Sequence, residues 1–469
     1  MNEQRVTQSL QVVLEEAVRL QKAGLTDAAE RLYHQALRIC ADHPEANHNL
    51  GIISMQRGKL PEGVAYFKRA FEADRGRDLY RRSYSRALLM SGEAALAAQV
   101  MEEGGRLGTV SPDGNLEQRS KKAREHLLRG NALTEEGDFP GAIESFKQAI
   151  ALNPALNDPA LNDPALNDAY HHLGSLLAET GRVAEGFDYL MKRAELVKGR
   201  GTAPQSLPSE PPHKIKHDRE QHAYLIAQGK APATTPAKEL FHIGNGARLA
   251  DSALNRKHSA AAVLEQWRAS DPQAVVIDDF LTRPALEQLR RYCAESTVWR
   301  RVYDAGYIGA TPADGFACPL LAQITEEISS VYLDILGGHG FRYLGAFKYD
   351  SELSTGTNVH ADYSAINLNL YITPDEANLD PDTGGMLIWN VAARDERELR
   401  RYNGSDSEIR EYLQRSQAQT TRVAHRANRA VLFKSSLFHK TDICRFREGY
   451  LNKRINVSFL FGQFESAGG

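Results

Sequence analysis

Two histidines and an aspartate in the C-terminal half of the sequence are the residues best suited to chemistry. His360 and Asp362 are two residues apart, and in an extended segment that spacing directs both side chains to one face. His439 follows 77 residues after Asp362, just behind a predicted strand at 429–433. Two imidazoles and one carboxylate on converging strands form the facial ligand set of non-haem iron(II), which leaves coordination positions open. The sequence therefore predicts a catalytic metal centre at these residues.

Two further predicted strands, over residues 365–372 and 454–461, alternate between polar and apolar residues. Alternate residues of a strand lie on one face, so each strand has one polar face. The polar residues are Asn367, Asn369 and Tyr371 on the first strand and Arg454, Asn456 and Ser458 on the second. Amides on an inward face indicate a cavity with polar contents. An arginine at its mouth offers a planar fork for the distal carboxylate of a dicarboxylic acid.

Strands must bring these residues together, and from about residue 273 the sequence predicts short strands separated by turns that contain Gly and Pro. This pattern is typical of a β-sandwich or jelly roll. The predicted strands are residues 274–280, 341–349, 365–372, 385–389, 429–433 and 454–461. Residues 284–296 and 318–336 are predicted to form covering helices, and the charged residues 395–416 a helical insertion.

Residues 275–462 resemble the 2-oxoglutarate- and iron(II)-dependent oxygenase superfamily, of the prolyl-hydroxylase-like kind. The family pattern is H-x-D, a distal histidine and a basic residue on the last core strand. The residues that match it are His360, Asp362, His439 and Arg454. A tyrosine shortly before the first histidine is also typical, and Tyr349 lies 11 residues before His360. The resemblance implies a double-stranded β-helix, which is a jelly roll, over residues 271–469.

The resemblance also implies a mechanism and its residues. The predicted metal ligands, which are also the predicted catalytic residues, are His360, Asp362 and His439. The predicted cosubstrate-binding residues are Arg454, Tyr349, Asn367, Asn369 and Ser458. Asn367, Asn369 and Trp389 have alternative interpretations as substrate-side residues, as support for the ligands or as core packing. Iron(II), 2-oxoglutarate and O2 are the expected cofactors, with ascorbate as an optional one, and the expected reaction is hydroxylation of a C–H bond.

Two departures from the family pattern concern the anchoring cation. Prolyl hydroxylases that act on collagen carry lysine where Arg454 stands in this sequence. The spacing from His439 to Arg454 is also lengthened by RFREGYLN, residues 445–452. Arg445 or Arg447 is therefore an alternative anchor. We favour Arg454 because a strand determines the direction of its side chain.

The N-terminal half repeats itself at a period near 34 residues. Residues 130–154, GNALTEEGDFPGAIESFKQAIALNP, closely resemble the tetratricopeptide repeat. Small residues there allow two antiparallel helices to approach, Phe146 fills the space between repeats, and Gly137 ends the first helix. We predict about five repeats within residues 1–197, stacked as an all-α solenoid. Such solenoids bind extended peptides, so a protein or peptide partner is expected.

Two segments interrupt this organisation. Residues 154–168 read PALND three times, and their Asn-Asp-Pro steps predict an expanded turn between repeats. Residues 198–270 are predicted to be a Pro-rich linker with short helices over 217–228 and 251–269. The expected architecture is thus a multidomain α + β chain with repeats, a linker and an oxygenase module.

Composition excludes several classes of protein. The 57 basic and 60 acidic residues give a net charge of −3, which argues against a nucleic-acid binder that depends on phosphate contacts. No apolar run approaches the roughly 18 residues of a membrane span, so no membrane association is expected. The four cysteines lie far apart and the start MNEQRVTQSL lacks a secretory signal, which together predict a cytoplasmic location.

Three functions remain open at this point. In the first, the repeats recruit a protein or peptide that the second module hydroxylates. In the second, the substrate is a small metabolite and the repeats serve assembly, for example as a homodimer. In the third, the oxygenase-like domain is inactive and the chain is an interaction scaffold. The complete set of predicted ligands and Arg454 favour an enzyme.

Overall fold

The computed structural model describes residues 10, 13–14, 16–21, 26–75, 78–93, 96–97, 99–100, 114–152, 164–198, 210–235, 240–354 and 356–464. The chain divides into two compact units, Met1–Gln118 and Arg119–Gly469. The last helices of the repeat region belong to the same compact unit as the β-sheets. None of the helices in the described part of the chain has the length and hydropathy of a membrane span.

The first unit consists of antiparallel helices in the predicted repeat pattern. Its helices include Thr26–Ile39, Pro44–Gln56, Leu60–Ala73 and Asp78–Met90. Gly58 and Gly92 end the first helix of a pair with φ of 73° and 83°, a left-handed conformation that favours glycine. A Cβ on Gly51 would lie 2.7 Å from the ring of Phe67, so only glycine allows these two helices to pack this closely.

The second unit begins with the same repeat geometry. Its repeat helices are Gly114–Glu135, Phe139–Leu152, Pro164–Glu179 and Val183–Lys198. Gly137 and Gly181 adopt the left-handed turn conformation, with φ of 81° and 88°. A Cβ on Gly130 would lie 2.5 Å from the ring of Phe146, which repeats the packing of the first unit. The helical periodicity and the turn glycines of the sequence therefore predict these elements correctly.

The third copy of the PALND expansion is helical. Residues 153–163, which contain the first two copies, lie outside the described residues. The third copy, residues 164–168, forms the first turn of the helix Pro164–Glu179. Proline is well tolerated at the first position of a helix because the N–H that it lacks has no partner there anyway. The prediction of a turn over the whole of 154–168 is thus wrong for this copy.

The last repeat helix, Val183–Lys198, shares its core with the β-sheet region. Phe187 is fully buried, and its ring centroid lies 6.0 Å from that of Phe341 on a sheet strand. Glu179, at the end of the preceding helix, forms a 3.2 Å ion pair with Arg342 on the same strand. The last repeat helix therefore packs directly against the large sheet within the second unit.

The predicted linker is also packed against the second unit. The helices Pro212–Ala227 and Ala260–Ala269 overlap the two short helices predicted within it. The first buries one face against the sheet region, and Gln221 from that face donates to the carbonyl oxygens of Ala294 and Ser296. The described parts of 198–270 are therefore an ordered component of the β-rich unit rather than a spacer.

The β-rich region contains twelve strands in its described residues, numbered in chain order. They are β1 Ala274–Ile277, β2 Arg301–Tyr303, β3 Tyr307–Ala310, β4 Phe341–Tyr349, β5 Glu352–Leu353, β6 Ile366–Tyr371, β7 Met386–Ala392, β8 Thr420–Val423, β9 Ala430–Lys434, β10 Leu437–Thr441, β11 Cys444–Arg445 and β12 Ile455–Phe461. All observed pairings are antiparallel.

Two of the sheets form the framework of the site. The large sheet has the order β1-β9-β6-β12-β4-β3-β2, and the small sheet has the order β10-β7-β8. They share a hydrophobic cluster that includes Phe433 of the large sheet and Ile388 and Leu437 of the small one. The helices Arg283–Glu295 and Pro319–Val331 contribute to a second core on the large sheet. The predicted helical insertion forms two helices, Glu396–Asn403 and Asp406–Arg415, between β7 and β8.

Candidate metal centre and its cavity

The backbone brings the three predicted metal ligands to one point. His439 lies on β10, and His360 pairs with it as an antiparallel bridge that extends the small sheet by one residue. Each of these histidines donates its backbone N–H to the other's carbonyl oxygen, over 3.0 and 2.8 Å. The backbone N–H of Asp362 donates to the carbonyl oxygen of Ser435 over 2.9 Å. These three bonds tie the H-x-D segment to β10 and to the turn that precedes it.

The side chains of the three residues converge. One ligand atom from each of His360, Asp362 and His439 lies within 4.8 Å of the other two. Nδ1 of His360 lies 3.0 Å from the carbonyl oxygen of Asn358, and Nδ1 of His439 lies 2.9 Å from that of Leu437. A carbonyl oxygen can only accept, so each Nδ1 carries the proton and each Nε2 offers its lone pair to the common point. This tautomer is the one that binds a metal through Nε2.

The electrostatics of the three side chains suit a cation. Burial alone would raise the pKa of Asp362, but its neighbours lower it to about 2. These neighbours are His439, whose Nε2 lies 3.4 Å from Oδ2 of Asp362, together with His360 and the amide of Asn367. Burial and the neighbouring His439 lower the pKa of His360. At neutral pH the aspartate is therefore ionised and His360 is neutral, which are the protonation states in which these groups bind metals.

The three ligands line a cavity of about 630 Å³, measured to its open mouth. The cavity lies on the inner face of the large sheet. Tyr349, Asn367, Asn369, Arg454 and Ser458, the residues predicted to bind a cosubstrate, all line it. The structure thus brings together every predicted site residue in one cavity.

Arg454 is the most deeply buried cation of this cavity, with 1% of its surface exposed. Its Nε donates to the carbonyl oxygen of Gly384, and its terminal nitrogens donate to the carbonyl oxygen of Gly385 and to Oδ1 of Asn456. The rings of Tyr349 and Tyr371 lie 4.5 and 5.1 Å from its guanidinium carbon. No acidic side chain in the described part of the chain forms an ion pair with it. Its charge is therefore not neutralised by the described residues.

A chain of amide hydrogen bonds joins Arg454 to Asp362. Asn456 accepts from Arg454 and donates to Oδ1 of Asn369 over 2.8 Å. Asn369 donates to Oδ1 of Asn367 over 3.1 Å, and Asn367 donates to Oδ2 of Asp362 over 2.5 Å. Each amide directs its donor end toward the carboxylate and its acceptor end toward the guanidinium. The amide dipoles are therefore aligned between the cation and the anion, and such aligned hydrogen bonds strengthen one another.

The remaining predicted residues have simpler surroundings. Ser458 donates to Oδ1 of Asn369 over 2.7 Å, which makes it a branch of the amide chain. The hydroxyl of Tyr349 lies 2.9 Å from Oγ1 of Thr441. Trp389 is half-buried against the core of the helical insertion, away from the cavity lining. Arg447 is exposed and donates to the carbonyl oxygen of Glu376, so it does not reach the cavity.

Several lining residues were not singled out as site residues from the sequence. They are Tyr307, Tyr343, Phe347, Thr357, Tyr371, Met386, Lys440, Thr441, Asn456 and Leu460. Asn456 and Tyr371 share the polar strand faces recognised above, so the same alternation indicates them. Thr441 lies two residues after His439, so in an extended chain its side chain lies on the same face as that of His439. Tyr307 lies on the hairpin of β2 and β3, which has no clear strand pattern in the sequence, so no signal indicated it.

Comparisons with known proteins identify the repeats. The tetratricopeptide repeat family model matches residues 123–156, which confirms the predicted repeat in that segment. No curated protein matches the chain. Among solved structures, the MamA protein is 19% identical and covers 44% of this chain and 100% of its own, with a TM-score of 0.24. YrrB, a tetratricopeptide repeat protein with an unusual peptide-binding site, is 16% identical, with coverages of 41% and 91% and a TM-score of 0.22.

A third solved structure that is similar to this chain is an enzyme. It is the non-heme alpha-ketoglutarate-dependent carbocyclase SnoK from nogalamycin biosynthesis. It is 15% identical to this chain and covers 46% of this chain and 90% of its own, with a TM-score of 0.34.

Proposed function

We propose that the protein is an iron(II)- and 2-oxoglutarate-dependent dioxygenase that hydroxylates a C–H bond, and that its two facing sheets form a double-stranded β-helix. The observation that carries this proposal is the cavity that contains both His360, Asp362 and His439 and the buried, unneutralised Arg454. A metal site alone would fit many proteins. A metal site that shares its cavity with a buried cation fits a small anionic chelator that bridges the two.

The donor set fits iron(II). Two imidazole nitrogens and one carboxylate oxygen are the facial triad of non-haem iron(II) oxygenases, in which the other coordination positions remain open. The imidazoles are held in the ligating tautomer by backbone carbonyl oxygens. Asn367 donates to Oδ2 of Asp362, the oxygen that lies 3.4 Å from Nε2 of His439, and so orients the carboxylate toward the imidazoles. The residues present thus fit the cofactor, and the proposal assigns the metal to them.

Arg454 fits the distal carboxylate of 2-oxoglutarate. An arginine remains charged at all accessible pH values, and a buried charge without a counterion is costly. The guanidinium has five N–H groups, and the protein acceptors named above use three of them. An anion of the cosubstrate would supply the missing negative charge. The hydroxyl of Tyr371 is buried in the same cavity and has no hydrogen-bond partner among the described residues, so it is a further polar group available to the anion.

When bound together, iron(II) and 2-oxoglutarate would supply electrons that activate O2: 2-oxoglutarate is oxidised to succinate and CO2, one oxygen atom enters succinate, and the other enters the C–H bond of the substrate. The protein residues provide the surroundings for that chemistry. His360, Asp362 and His439 hold one face of the metal, while Arg454 and Tyr349 orient the cosubstrate. The amide chain supports Asp362 from one side and Arg454 from the other. Phe347, Met386 and Leu460 make part of the wall apolar, which limits access of water to the site.

We propose a protein or peptide as the substrate, recruited by the repeats. The support is the tetratricopeptide repeat at residues 123–156, because arrays of this kind form extended peptide-binding surfaces. The last repeat helix shares a core with the large sheet, so a polypeptide bound to the last repeats would lie on the same unit as the cavity.

The test measures succinate formation from 2-oxoglutarate in cell extract, together with a mass increase of one oxygen atom on proteins that co-purify with the full chain. We expect the wild type to produce both signals. His360→Ala and Asp362→Ala should produce neither and should retain the fold, because each removes a ligand and no core contact. Turnover in either variant equal to that of the wild type would refute the metal centre, and succinate formation stimulated only by small metabolites would refute the polypeptide substrate.

A further inference from the structure

The helical insertion between β7 and β8 packs directly behind the metal ligands. Its helices, Glu396–Asn403 and Asp406–Arg415, are amphipathic and bury Leu399, Tyr402, Ile409 and Leu413. Their charged residues lie largely on the outer face, where several form ion pairs within the insertion, such as Arg410 with Asp406 over 2.6 Å. The apolar face of the two helices is therefore buried against the β-rich region.

That apolar face covers the chain neighbours of the metal ligands. Val359, Ala361 and Phe438 are buried in one cluster with Leu399, Tyr402, Ile409 and Leu413. Val359 and Ala361 flank His360, and Phe438 precedes His439. Successive residues of an extended chain point to opposite faces, so ligands on the cavity side require their neighbours to lie on the other side. The insertion thus contacts the back of both ligand-bearing segments.

Asn403, the last residue of the first insertion helix, binds the residue between two ligands. Its Oδ1 accepts from the backbone N–H of Ala361 over 3.0 Å, and its Nδ2 donates to the carbonyl oxygen of Ala361 over 2.7 Å. Ala361 itself is 2% exposed. The side-chain amide therefore satisfies both backbone groups of a buried residue that no strand reaches.

The reason for this arrangement lies in strand geometry. His360 and His439 exchange both backbone hydrogen bonds, so the backbone groups of the next residue, Ala361, point to the opposite edge. At that edge the described structure has no neighbouring strand. The amide of Asn403 takes the place of one, because it presents an acceptor and a donor at the spacing of a peptide group.

We propose that Asn403 is a positioning residue for the metal centre: by binding both backbone groups of Ala361, it holds His360 and Asp362 at the separation that the metal requires. This inference rests on the proposed function, since it assumes a metal at the three ligands. It assigns to the helical insertion the role of fixing the geometry of the H-x-D segment. Free rotation about the backbone of Ala361 would change the angle between the two ligand side chains.

The test compares Asn403→Ala with a matched variant. Asn428 makes the same two-bond clamp elsewhere, accepting from the N–H of Leu281 over 2.9 Å and donating to its carbonyl oxygen over 2.8 Å. Leu281 follows β1 and does not line the metal cavity. Asn428→Ala therefore reports the cost of losing such a clamp at a residue that does not contact the ligands, together with the strain of alanine at a φ of 64°. Asn403 itself is exposed, so its replacement is expected to leave the protein folded.

The probe is Co²⁺, titrated into the full-length chain without cosubstrate and followed by its visible d–d absorption, with melting curves of the same samples. We expect Asn403→Ala to bind Co²⁺ about tenfold more weakly, as removal of an outer-shell partner does, and to change the shape of the spectrum. Asn428→Ala should lower the melting temperature and leave Co²⁺ affinity unchanged.

The outcomes separate this inference from the proposed function. A wild type that does not bind Co²⁺ would overturn both. A wild type that binds Co²⁺, together with an Asn403→Ala variant of the same affinity and spectrum, would overturn the positioning role alone. Equal losses of Co²⁺ affinity in the two variants would also overturn it, because the effect would then follow from general stability.

Discussion

Two buried cations lie close together in the β-rich region, Arg454 just before β12 and Lys348 on β4. They are 1% and 2% exposed, and neither forms an ion pair with an acidic side chain among the described residues. Their partners differ. Lys348 donates to Nε2 of His217 and to the hydroxyl of Tyr450, both over 3.1 Å, and its ammonium lies 4.1 Å from the ring centroid of Trp299. Arg454 faces the cavity that contains the metal ligands.

The difference follows from the chemistry of the two side chains: Lys348 can lose its charge, whereas Arg454 keeps its charge. Burial lowers the pKa of Lys348 to about 7, so this amine can become neutral inside the protein. A guanidinium cannot be deprotonated, so Arg454 remains charged and needs an anion from outside the described residues. Lys348 is therefore a structural group that fastens the helix Pro212–Ala227 to β4, whereas Arg454 is a ligand-binding group.

The largest expected effect is on cosubstrate binding. Arg454→Met keeps most of the side-chain volume and removes the charge, so the apparent affinity for 2-oxoglutarate should fall by about 100-fold, corresponding to the loss of one partner of a buried charged pair. The measurement is an anaerobic titration of the iron(II)-loaded protein with 2-oxoglutarate. Arg447→Ala, which removes an exposed arginine seven residues away, is the control and should bind normally. Normal 2-oxoglutarate affinity in Arg454→Met together with weakened affinity in Arg447→Ala would make Arg447 the anchor.

A smaller effect is expected from the amide chain. Asn369→Leu interrupts the hydrogen bonds between Asn456 and Asn367, so both the cosubstrate and the metal should bind about tenfold more weakly, as is typical for residues that support ligands from behind. Asn452→Ala, in the turn before β12, is the control, since its amide donates only to the carbonyl oxygen of Glu448. Unchanged affinities in Asn369→Leu would show that these amides are core packing.

The smallest effect concerns Lys348 and appears in stability. A lysine in the unfolded chain has a pKa of about 10.4, whereas that of folded Lys348 is about 7, so the unfolded state binds more protons between these values. The free energy of unfolding should therefore rise with pH from about 7 to about 10 through this group. Lys348→Met should flatten that rise in denaturant titrations and leave 2-oxoglutarate affinity unchanged. Lys434→Met, at an exposed position of β9, should retain the rise seen in the wild type.

Local patterns in the sequence predicted much of the site. The two-residue spacing of His360 and Asp362 and the polar faces of two strands follow directly from the alternation of an extended chain. The register that sets Ser458 opposite Asn369 could not be predicted, because pairing between distant strands depends on tertiary packing rather than on local periodicity. The contact of Asn403 with Ala361 could not be predicted either. It lies 42 residues from Ala361, and nothing in the local pattern relates the two.

The predicted linker illustrates a second limit. Its prolines, together with Ser, Thr and Gly, indicated a solvated connector, but the helix Pro212–Ala227 buries Lys214, His217 and Gln221. His217 and Gln221 have partners in the β-rich region, namely Lys348 and the carbonyl oxygens of Ala294 and Ser296. Lys214 forms an ion pair with Asp218 of its own helix. From the sequence alone, a polar helix face is therefore interpreted as solvent-exposed, because the residues that bury it and bond to it are not known. The repeats were easier to predict because each makes its contacts with the next segment of the chain.

The central claim is that His360, Asp362 and His439 hold iron(II) in the same cavity in which Arg454 binds 2-oxoglutarate. The most direct test is the visible spectrum of the protein mixed anaerobically with both. The account predicts a metal-to-ligand charge-transfer band in the wild type that is absent in Asp362→Ala and needs far more 2-oxoglutarate in Arg454→Met. A wild-type protein without this band, or an Asp362→Ala variant that retains it, would contradict the account.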